Sequence, residues 1–447
     1  MSSENREKLA NKPALISEEL HKFYKGKIQI TSKAVIRDLD DFSYWYTPGV
    51  AEPCKRIHKQ PELVYKYTNK GNTIAIVSDG SRVLGLGDIG PAAGLPVMEG
   101  KALIFKFLGG VDAVPICINA NNAEDIINFV KMIEPTYGGI NLEDIAQPKC
   151  FEVLDRLREI SNIPVWHDDQ QGTALVTVAG LFNALYIVNK KIETIKIVLF
   201  GAGAANLAIT RLLIQAGANP ENMILLDSKG SLGKFRDDLE KKHPYKWKYA
   251  QITNKNNIDG DLETCLKGAD VLIALSKPGP DTIKKEWIAG MAKDSIVFVC
   301  SNPTPEIWPW EAKEAGARIV ATGRSDFPNQ VNNSLGFPAI FRGVLDVGAR
   351  SISDTMCIEA AKSLAEFARK KGIHEEYIVP KMTDYEVFPH EAATVGSQAI
   401  RENLALYKNF SYEDLYQLAD KKIKLAQEQV HLFMEKGIIP QAPEINI

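Results

Sequence analysis

No apolar run long enough to cross a bilayer, about 18 residues or more, occurs in this 447-residue chain. Its first residues, MSSENREKLANK, lack the apolar stretch and small-residue cleavage site of a secretory leader. These two absences predict a cytosolic protein with no membrane partner. Charge of one sign is not in surplus either: 56 acidic and 53 basic side chains leave a net charge of -3. Without a basic excess, nucleic acid is not an expected partner. Cysteine is sparse, and Cys54, Cys117, Cys150, Cys265, Cys300 and Cys357 form no CxxC pair. That spacing argues against a thiolate metal knuckle or a disulfide framework. Most of the six lie in apolar runs such as VPICIN and IVFVCSNP, which reads as core thiols.

Internal repeats and low-complexity linkers are absent as well. What is present is an ordinary globular composition, 45% hydrophobic and 24% charged, on a chain too long for one core, so two or three domains are expected. Short apolar runs alternate with helical patterns, which predicts an α/β fold with parallel strands. TIAIVS and AVPICI read as buried strands, and NNAEDIINFVKMI as a helix with apolar positions 126, 129, 130 and 133. A helix around 151–160 precedes the strand-like IPVWH. A second unit begins near residue 165, where GTALVTVAGLFNALYIVN leads into the strand KIVLF. Near the end, SYEDLYQLADKKIKLAQEQVHLFMEKG reads as a charged helix closed by Gly437 and Pro440, for packing or dimerisation.

The glycine turn GAGAAN follows KIVLF directly and opens a helix, AANLAITRLLIQAG, that leads to the strand MILLD. Gly201 permits a tight turn, and Gly203 lets a pyrophosphate approach the backbone. Ala204 and Ala205 open a helix whose N-terminus carries free N–H groups and the positive end of a dipole. Asp227 closes the next strand, where it can accept a hydrogen bond from a ribose hydroxyl. Its charge leans toward NAD by repelling a 2′-phosphate, whereas Lys229 could neutralise it, so NAD and NADP both stay open. Asn206 stands where a small residue is usual, which loosens the expected packing of helix on strand.

Two acid pairs carry the second signal. Glu143-Asp144 ends the segment GGINLED and Asp168-Asp169 ends IPVWHDD, each at the carboxyl end of an expected parallel strand. Four carboxylates in one crevice repel one another unless a cation lies between them. An all-oxygen set selects Mg²⁺ or Mn²⁺ rather than zinc. His167 is a weaker ligand candidate, because on a strand its side chain points away from that of Asp168.

A third signal is SDGSRVLGLGDIGPAAGLPVMEGKALIFK, a glycine-heavy run that carries Arg82 and feeds a helix holding Lys101. Pro96 suits the first turn of that helix. Met98, Ala102 and Phe105 form an apolar stripe, and a lysine at its edge would be desolvated toward neutrality, as a general base requires. Taken locally, a snorkelling surface lysine and a structural ion pair for Arg82 remain open readings. Tyr46, before a Pro-Gly turn in WYTPGVAEPC, reads locally as a packing aromatic.

In this order, YTPGVAEPC, SDGSRVLGLGDIGPAAGLPVMEGKA, GGINLEDI, HDDQQGT, FGAGAAN, SNPTPEI and ATGRSDFPNQVNN give the chain, from about residue 40 to 350, a resemblance to malic enzymes of the short bacterial or archaeal type. The resemblance implies a substrate and metal domain (1–164), a Rossmann-type dinucleotide domain (165–388) and C-terminal helices (389–447). It implies oxidative decarboxylation of L-malate to pyruvate and CO₂, with NAD or NADP and Mg²⁺ or Mn²⁺, in a homodimer. By the same resemblance Glu143, Asp144 and Asp169 match the metal ligands, Lys101 the general base, Tyr46 the general acid and Asp168 the acid beside the lysine. Arg82 matches a carboxylate clamp, Asn302 and Asn333 match amides contacting substrate, and Asn302 also matches a cofactor contact. An oxaloacetate decarboxylase or malolactic enzyme would use the same residues. A nucleotide-sensing protein without turnover would not need every one of those positions filled.

Overall fold

The computed structural model describes residues 3–445, with side chains from residue 12 onward. Its first sheet holds four parallel strands, β1 (Thr73–Ser78), β2 (Asp112–Cys117), β3 (Gly139–Leu142) and β4 (Val165–His167), in the order β2-β1-β3-β4. Parallel neighbours need crossovers, and helices Pro91–Gly109, Ala123–Ile133 and Lys149–Ile160 supply them. With helices against the sheet, β1, β3 and β4 are buried along their length and show no polar alternation. Every strand therefore delivers its carboxyl end to the same edge.

The second sheet contains β5 (Ile197–Phe200), β6 (Met223–Asp227), β7 (Gly230–Ser231), β8 (Val271–Ala274), β9 (Ile296–Val299) and β10 (Ile319–Thr322), ordered β10-β9-β8-β5-β6-β7. All pairings are parallel except that of the two-residue β7 with β6. The chain runs from β5 to β6 on one side and later returns to β8 on the other, so strand order reverses beside β5. Such a reversal opens a crevice at the carboxyl ends of the strands.

Helix Thr173–Val188 joins the sheets. It belongs to the one helical stretch among the described residues, Asp168–Val188, that is long and apolar enough to span a bilayer, and 78% of that stretch's apolar window is buried inside the protein. A helix apolar all round and covered on all sides is a core helix. β4, which a division at residue 164/165 would assign to the second unit, is hydrogen-bonded into the first sheet, because its partner is β3.

The later helices return to the first sheet. Tyr412–Glu435, capped by Ser411 and Asp414, packs on Val387–Arg401 and on Pro91–Gly109. Gly110 ends the latter at φ +61°, and a Cβ there would sit 2.8 Å from the Lys422 carbonyl, so only glycine fits. Two sequence expectations change. Pro91, not Pro96, fills the first turn of Pro91–Gly109, and Pro96 lies within the helix. Cys54 is exposed and Cys117 half-buried, so only Cys150, Cys265, Cys300 and Cys357 are core thiols; Cys54 lies on the exposed, charged helix Ala51–Lys59, outside any apolar run.

A buried ionic cluster ties these parts together. Arg342, on helix Phe337–Val347, is fully buried and grips Asp346 through Nε (3.0 Å) and Nη2 (2.7 Å), while Nη1 donates to Asn72 Oδ1 at 2.6 Å. Lys422 donates to Asp346 Oδ1 at 2.6 Å. Removing one partner of a buried pair strands the other. Arg342→Ala is expected to lower unfolding free energy by about 3–5 kcal/mol in urea denaturation; a loss under about 1 kcal/mol would contradict the arrangement.

Candidate functional site

The acids expected to converge do so at the carboxyl edge of the first sheet. Glu143 and Asp144 follow β3, and Asp168 and Asp169 follow β4. Ligand oxygens of Glu143, Asp144 and Asp169 all lie within 4.8 Å of one another. Asp144 N donates to Asp169 Oδ2 at 2.9 Å, which locks the two loops in register. Asp144 adopts φ +54°, a strained value for a residue with a Cβ, and turns its carboxylate into the cluster. Its buried Oδ2 makes no hydrogen bond among the described residues. Burial, then the charge of Asp169, pushes the Asp144 carboxyl up to about 7. Burial is also the main reason Glu143 is held well above the usual carboxylate range, and the three neighbouring aspartates add to it. Close carboxylate pairs repel by on the order of 4 kcal/mol at intermediate dielectric. An orphaned buried oxygen in an all-oxygen acidic pocket is what a hard divalent cation would satisfy.

Lys101 lies beside this cluster. Its ammonium is 2.5 Å from Asp168 Oδ2 and 2.8 Å from Glu143 Oε1, and stands 4.3 Å above the centroid of the Phe337 ring. Its stripe partners Met98, Ala102 and Phe105 are buried, and Lys101 itself is 8% exposed, which excludes the snorkelling reading. The expectation of depressed basicity is overturned: burial alone would lower it, but the Asp168 and Glu143 carboxylates together raise it above the ordinary lysine value. Two further residues, silent in the sequence, fix these acids. Trp166 Nε1 donates to Asp168 Oδ1 at 2.9 Å, and Asn141 Nδ2 to Glu143 Oε2 at 2.9 Å. Both sit on strands two residues before the acid they hold, so strand alternation places them on its face.

Gly172 also belongs to this group, since a Cβ there would collide with the Asp168 carboxylate and approach Asn333 Cβ at 3.1 Å. Asn333 is thus adjacent to Asp168. The glycine-rich run is held from behind: Lys149 pairs with Asp79, Ser81 Oγ donates to Asp79 at 2.6 Å, and Arg82 N donates to Asp144 O at 3.0 Å. The Arg82 side chain is exposed and makes no ion pair among the described residues. A Cβ on Gly85 would meet the Asn302 carbonyl at 2.5 Å, so the Arg82 loop abuts the Asn302 segment of the second unit. His167 is fully buried with both ring nitrogens unpaired, and its Nδ1 is 3.6 Å from Asp169 Oδ2. It lies outside the carboxylate cluster. Tyr46, at the end of the short helix Phe42–Trp45, is 70% exposed and its phenol makes no hydrogen bond among the described residues.

At the switch point of the second sheet, Gly201 has φ +99°, and a Cβ would strike the Leu275 carbonyl and lie 2.8 Å from Ser276 Cα. At Gly203 a Cβ would meet nothing within 4 Å, so the protein's own packing does not demand glycine there. Ala204 and Ala205 start helix Ala204–Gln215. Asn206 tightens the turn it was expected to loosen, because its buried Nδ2 donates to the Phe200 and Gly201 carbonyls at 2.9 Å each. Asp227 is engaged by Arg236 (3.1 and 3.2 Å) and Lys246 (3.3 Å). Lys229 reaches Asp238 instead, at 3.1 Å, so Arg236 is the residue that neutralises Asp227.

Comparison with known proteins decides the lineage. Residues 25–158 match the family model "Malic enzyme, N-terminal domain" and residues 170–400 match "Malic enzyme, NAD binding domain". The chain belongs to the malic enzyme family. It is 48% identical to the bifunctional malic/malolactic enzyme of Bacillus subtilis over 86% of this chain and 93% of that one. It is 49% identical to the NAD-dependent malic enzyme of Geobacillus stearothermophilus over 86% and 79%. The crystal structure of Entamoeba histolytica malic enzyme superposes with a TM-score of 0.96 at 47% identity, covering 99% of this chain and 93% of that one. As a malic enzyme the protein is an oxidoreductase with a nicotinamide dinucleotide-binding domain.

The acid cluster of this malic enzyme has a measurable consequence. The Asp144 carboxyl rises from 3.8 to about 7 on folding. A raised acid means that the folded chain binds more protons than the unfolded chain between those values, so stability present below about pH 4 is lost as pH rises toward about 7. In EDTA, thermal unfolding temperature should fall between about pH 4 and about pH 7, and Mn²⁺ should reverse the fall. A flat profile in EDTA would contradict the geometry.

Proposed function

We propose that the chain catalyses metal-dependent oxidative decarboxylation of L-malate to pyruvate and CO₂ with NAD⁺ or NADP⁺, through the groups around Lys101. The observation that carries this reading is the placement of Lys101 between Asp168 and Glu143 beside a three-carboxylate pocket. Glu143, Asp144 and Asp169 would hold Mg²⁺ or Mn²⁺, which would supply Lewis-acid polarisation of the substrate oxygens, and a dinucleotide at the Gly201–Ala205 turn would supply the hydride acceptor.

The remaining work falls to the chain. Arg82, with no acid bound to it among the described residues, offers a fork to a substrate carboxylate, and Asn302, beside the Gly85 loop, and Asn333, beside Asp168, offer amides. Lys101 takes the C2 hydroxyl proton as the C2 hydrogen leaves with its electron pair. Because Lys101 is held charged at rest, it acts as a base only by first passing a proton to Asp168, 2.5 Å away. In the resulting 2-keto acid the C3–C4 bond breaks, the C4 carboxylate leaves as CO₂ and the bonding pair moves into a C2–C3 enolate, to which Tyr46 supplies the proton at C3.

Since Tyr46 stands exposed, a second copy of the chain or a movement of its loop has to enclose it. Ile30, Val35, Leu39, Tyr44 and Trp45 are also exposed on the same 28–46 stretch, and this apolar surface supports a homodimer. A soluble cytosolic enzyme fits both features. Arg236 and Lys246, by neutralising Asp227, favour tolerance of a 2′-phosphate. The Bacillus relative's name, malic/malolactic, supports a second reading in which lactate is the product; reduced cofactor with pyruvate in a malate assay supports the first reading, and lactate without net reduction the second.

Two substitutions test the assignments. Lys101→Ala should cut malate oxidation by at least about 10²–10⁴-fold while dinucleotide binding, followed by fluorescence, stays near normal. Turnover within tenfold of the parent would remove Lys101 from the mechanism. Arg236→Ala should leave Asp227 with Lys246 as its remaining cation, restore part of its repulsion of a 2′-phosphate and raise KM for NADP⁺ more than for NAD⁺. Equal changes for the two dinucleotides would refute that role.

A further inference from the structure

On the side of the molecule served by the carboxyl end of helix Phe337–Val347, residues 65, 66, 71, 345–346, 406–410 and Lys422 line an open cavity of about 520 Å³. That size is within the range of small-molecule sites. Its lining is aromatic and basic: Tyr65 and Tyr407 provide flat faces, Lys66, Lys408 and Lys422 provide ammonium groups, and Asp346 is the lining carboxylate. Asp346 is already committed to Arg342 and Lys422. Glu62, whose charge is felt at the Tyr407 phenol, accepts from Gln60 Nε2 at 2.6 Å.

Lys66 and Lys408 form no ion pair among the described residues. Lys66 stands 5.5 Å from the Tyr407 ring centroid, and Lys408 donates to the neutral Asn403 Oδ1 at 3.2 Å. The Tyr407 hydroxyl is shut off from solvent and has no hydrogen-bond partner among the described residues, so the residue offers the cavity its ring and not its hydroxyl. Three lysines against one carboxylate, with Tyr65, Tyr407 and Phe410 in the same lining, describe a complementary ligand: an anion of charge −2 carried on a flat apolar frame.

We propose that this cavity binds a small organic dianion, a phosphate or dicarboxylate carried on a flat apolar frame. It is separate from the acid cluster: Phe337, under Lys101, and Asp346, at the cavity, are nine residues apart on one helix, or about 14 Å along its axis. The inference does not rest on the malate reading, because nothing in the cavity touches the groups assigned to that reaction.

Calorimetric titration of the full chain with phenyl phosphate tests it, with inorganic phosphate and phenol as half-ligands. One phenyl phosphate per chain should bind at least tenfold more tightly than either half-ligand. In the double variant Lys66→Glu/Lys408→Glu, whose positions are exposed, the affinity should fall at least tenfold, about 1.4 kcal/mol, with the unfolding temperature and NAD⁺ affinity unchanged. Tyr407→Ala, which removes the ring from the lining, should weaken binding severalfold and serves if the double variant fails to fold. Equal affinity in parent and variants, no saturable heat with phenyl phosphate, or inorganic phosphate binding as tightly as phenyl phosphate (an adventitious ion only) would each overturn the proposal.

Discussion

Everything at the carboxyl edge of the first sheet depends on one buried cation, Lys101, set among four carboxylates. Without it, Glu143 and Asp168 would be unpaired acids in a pocket that excludes water, a cost of several kcal/mol per charge. With it, one of the four negative charges is cancelled, the ammonium being shared by Glu143 and Asp168, and the rest of the deficit lies on the Glu143, Asp144 and Asp169 side, where an external cation can enter. The lysine therefore does more than stand near the chemistry. It sorts the acids into a pair that shares one ammonium and a group that still lacks positive charge. Glu143 belongs to each set, since one of its oxygens meets Lys101 and the other is tied to Asn141.

That sorting is enforced by the fold. Parallel strands deliver their carboxyl ends to one edge, so acids that directly follow β3 and β4 must meet, and the loop after β1 must pass in front of them. The Pro91–Gly109 helix brings Lys101 to the same edge from a crossover, backed by the Tyr412–Glu435 helix and by Phe337. Packing of the last helices on the first sheet thus bears on the position of the lysine, although those helices carry none of the proposed reacting groups.

Much of this was legible in the sequence. The strands TIAIVS and MILLD, the acid pairs at strand ends and the glycine turn followed by a helix are local patterns, and local patterns survive folding when the two levels agree. What was not legible depends on contacts distant in the chain. The basicity of Lys101 is decided by Asp168 and Glu143, 67 and 42 residues away, so a helix stripe could indicate burial but not the sign of the shift. Arg236 claims Asp227 from a loop nine residues on, which displaces the nearer Lys229. Asn206 looked like a defect because its size was visible and its two carbonyl partners, at the strand it packs on, were not.

The same reasoning separates the two units by what their glycines do. Gly201 and Gly172 are required by the protein itself, since a Cβ at either would collide with the Leu275 carbonyl or the Asp168 carboxylate. Gly203 is different, because its surroundings would admit a side chain, and any larger residue would stand in front of the free N–H groups of the Ala204–Gln215 helix. A helix N-terminus on a strand-order reversal is where open α/β sheets can hold an anion, and Gly203 leaves that position clear. The acid edge of the first sheet and the anion-binding edge of the second thus make opposite electrostatic demands. Because the Gly85 loop abuts Asn302, the two edges are held close enough for one substrate to answer both.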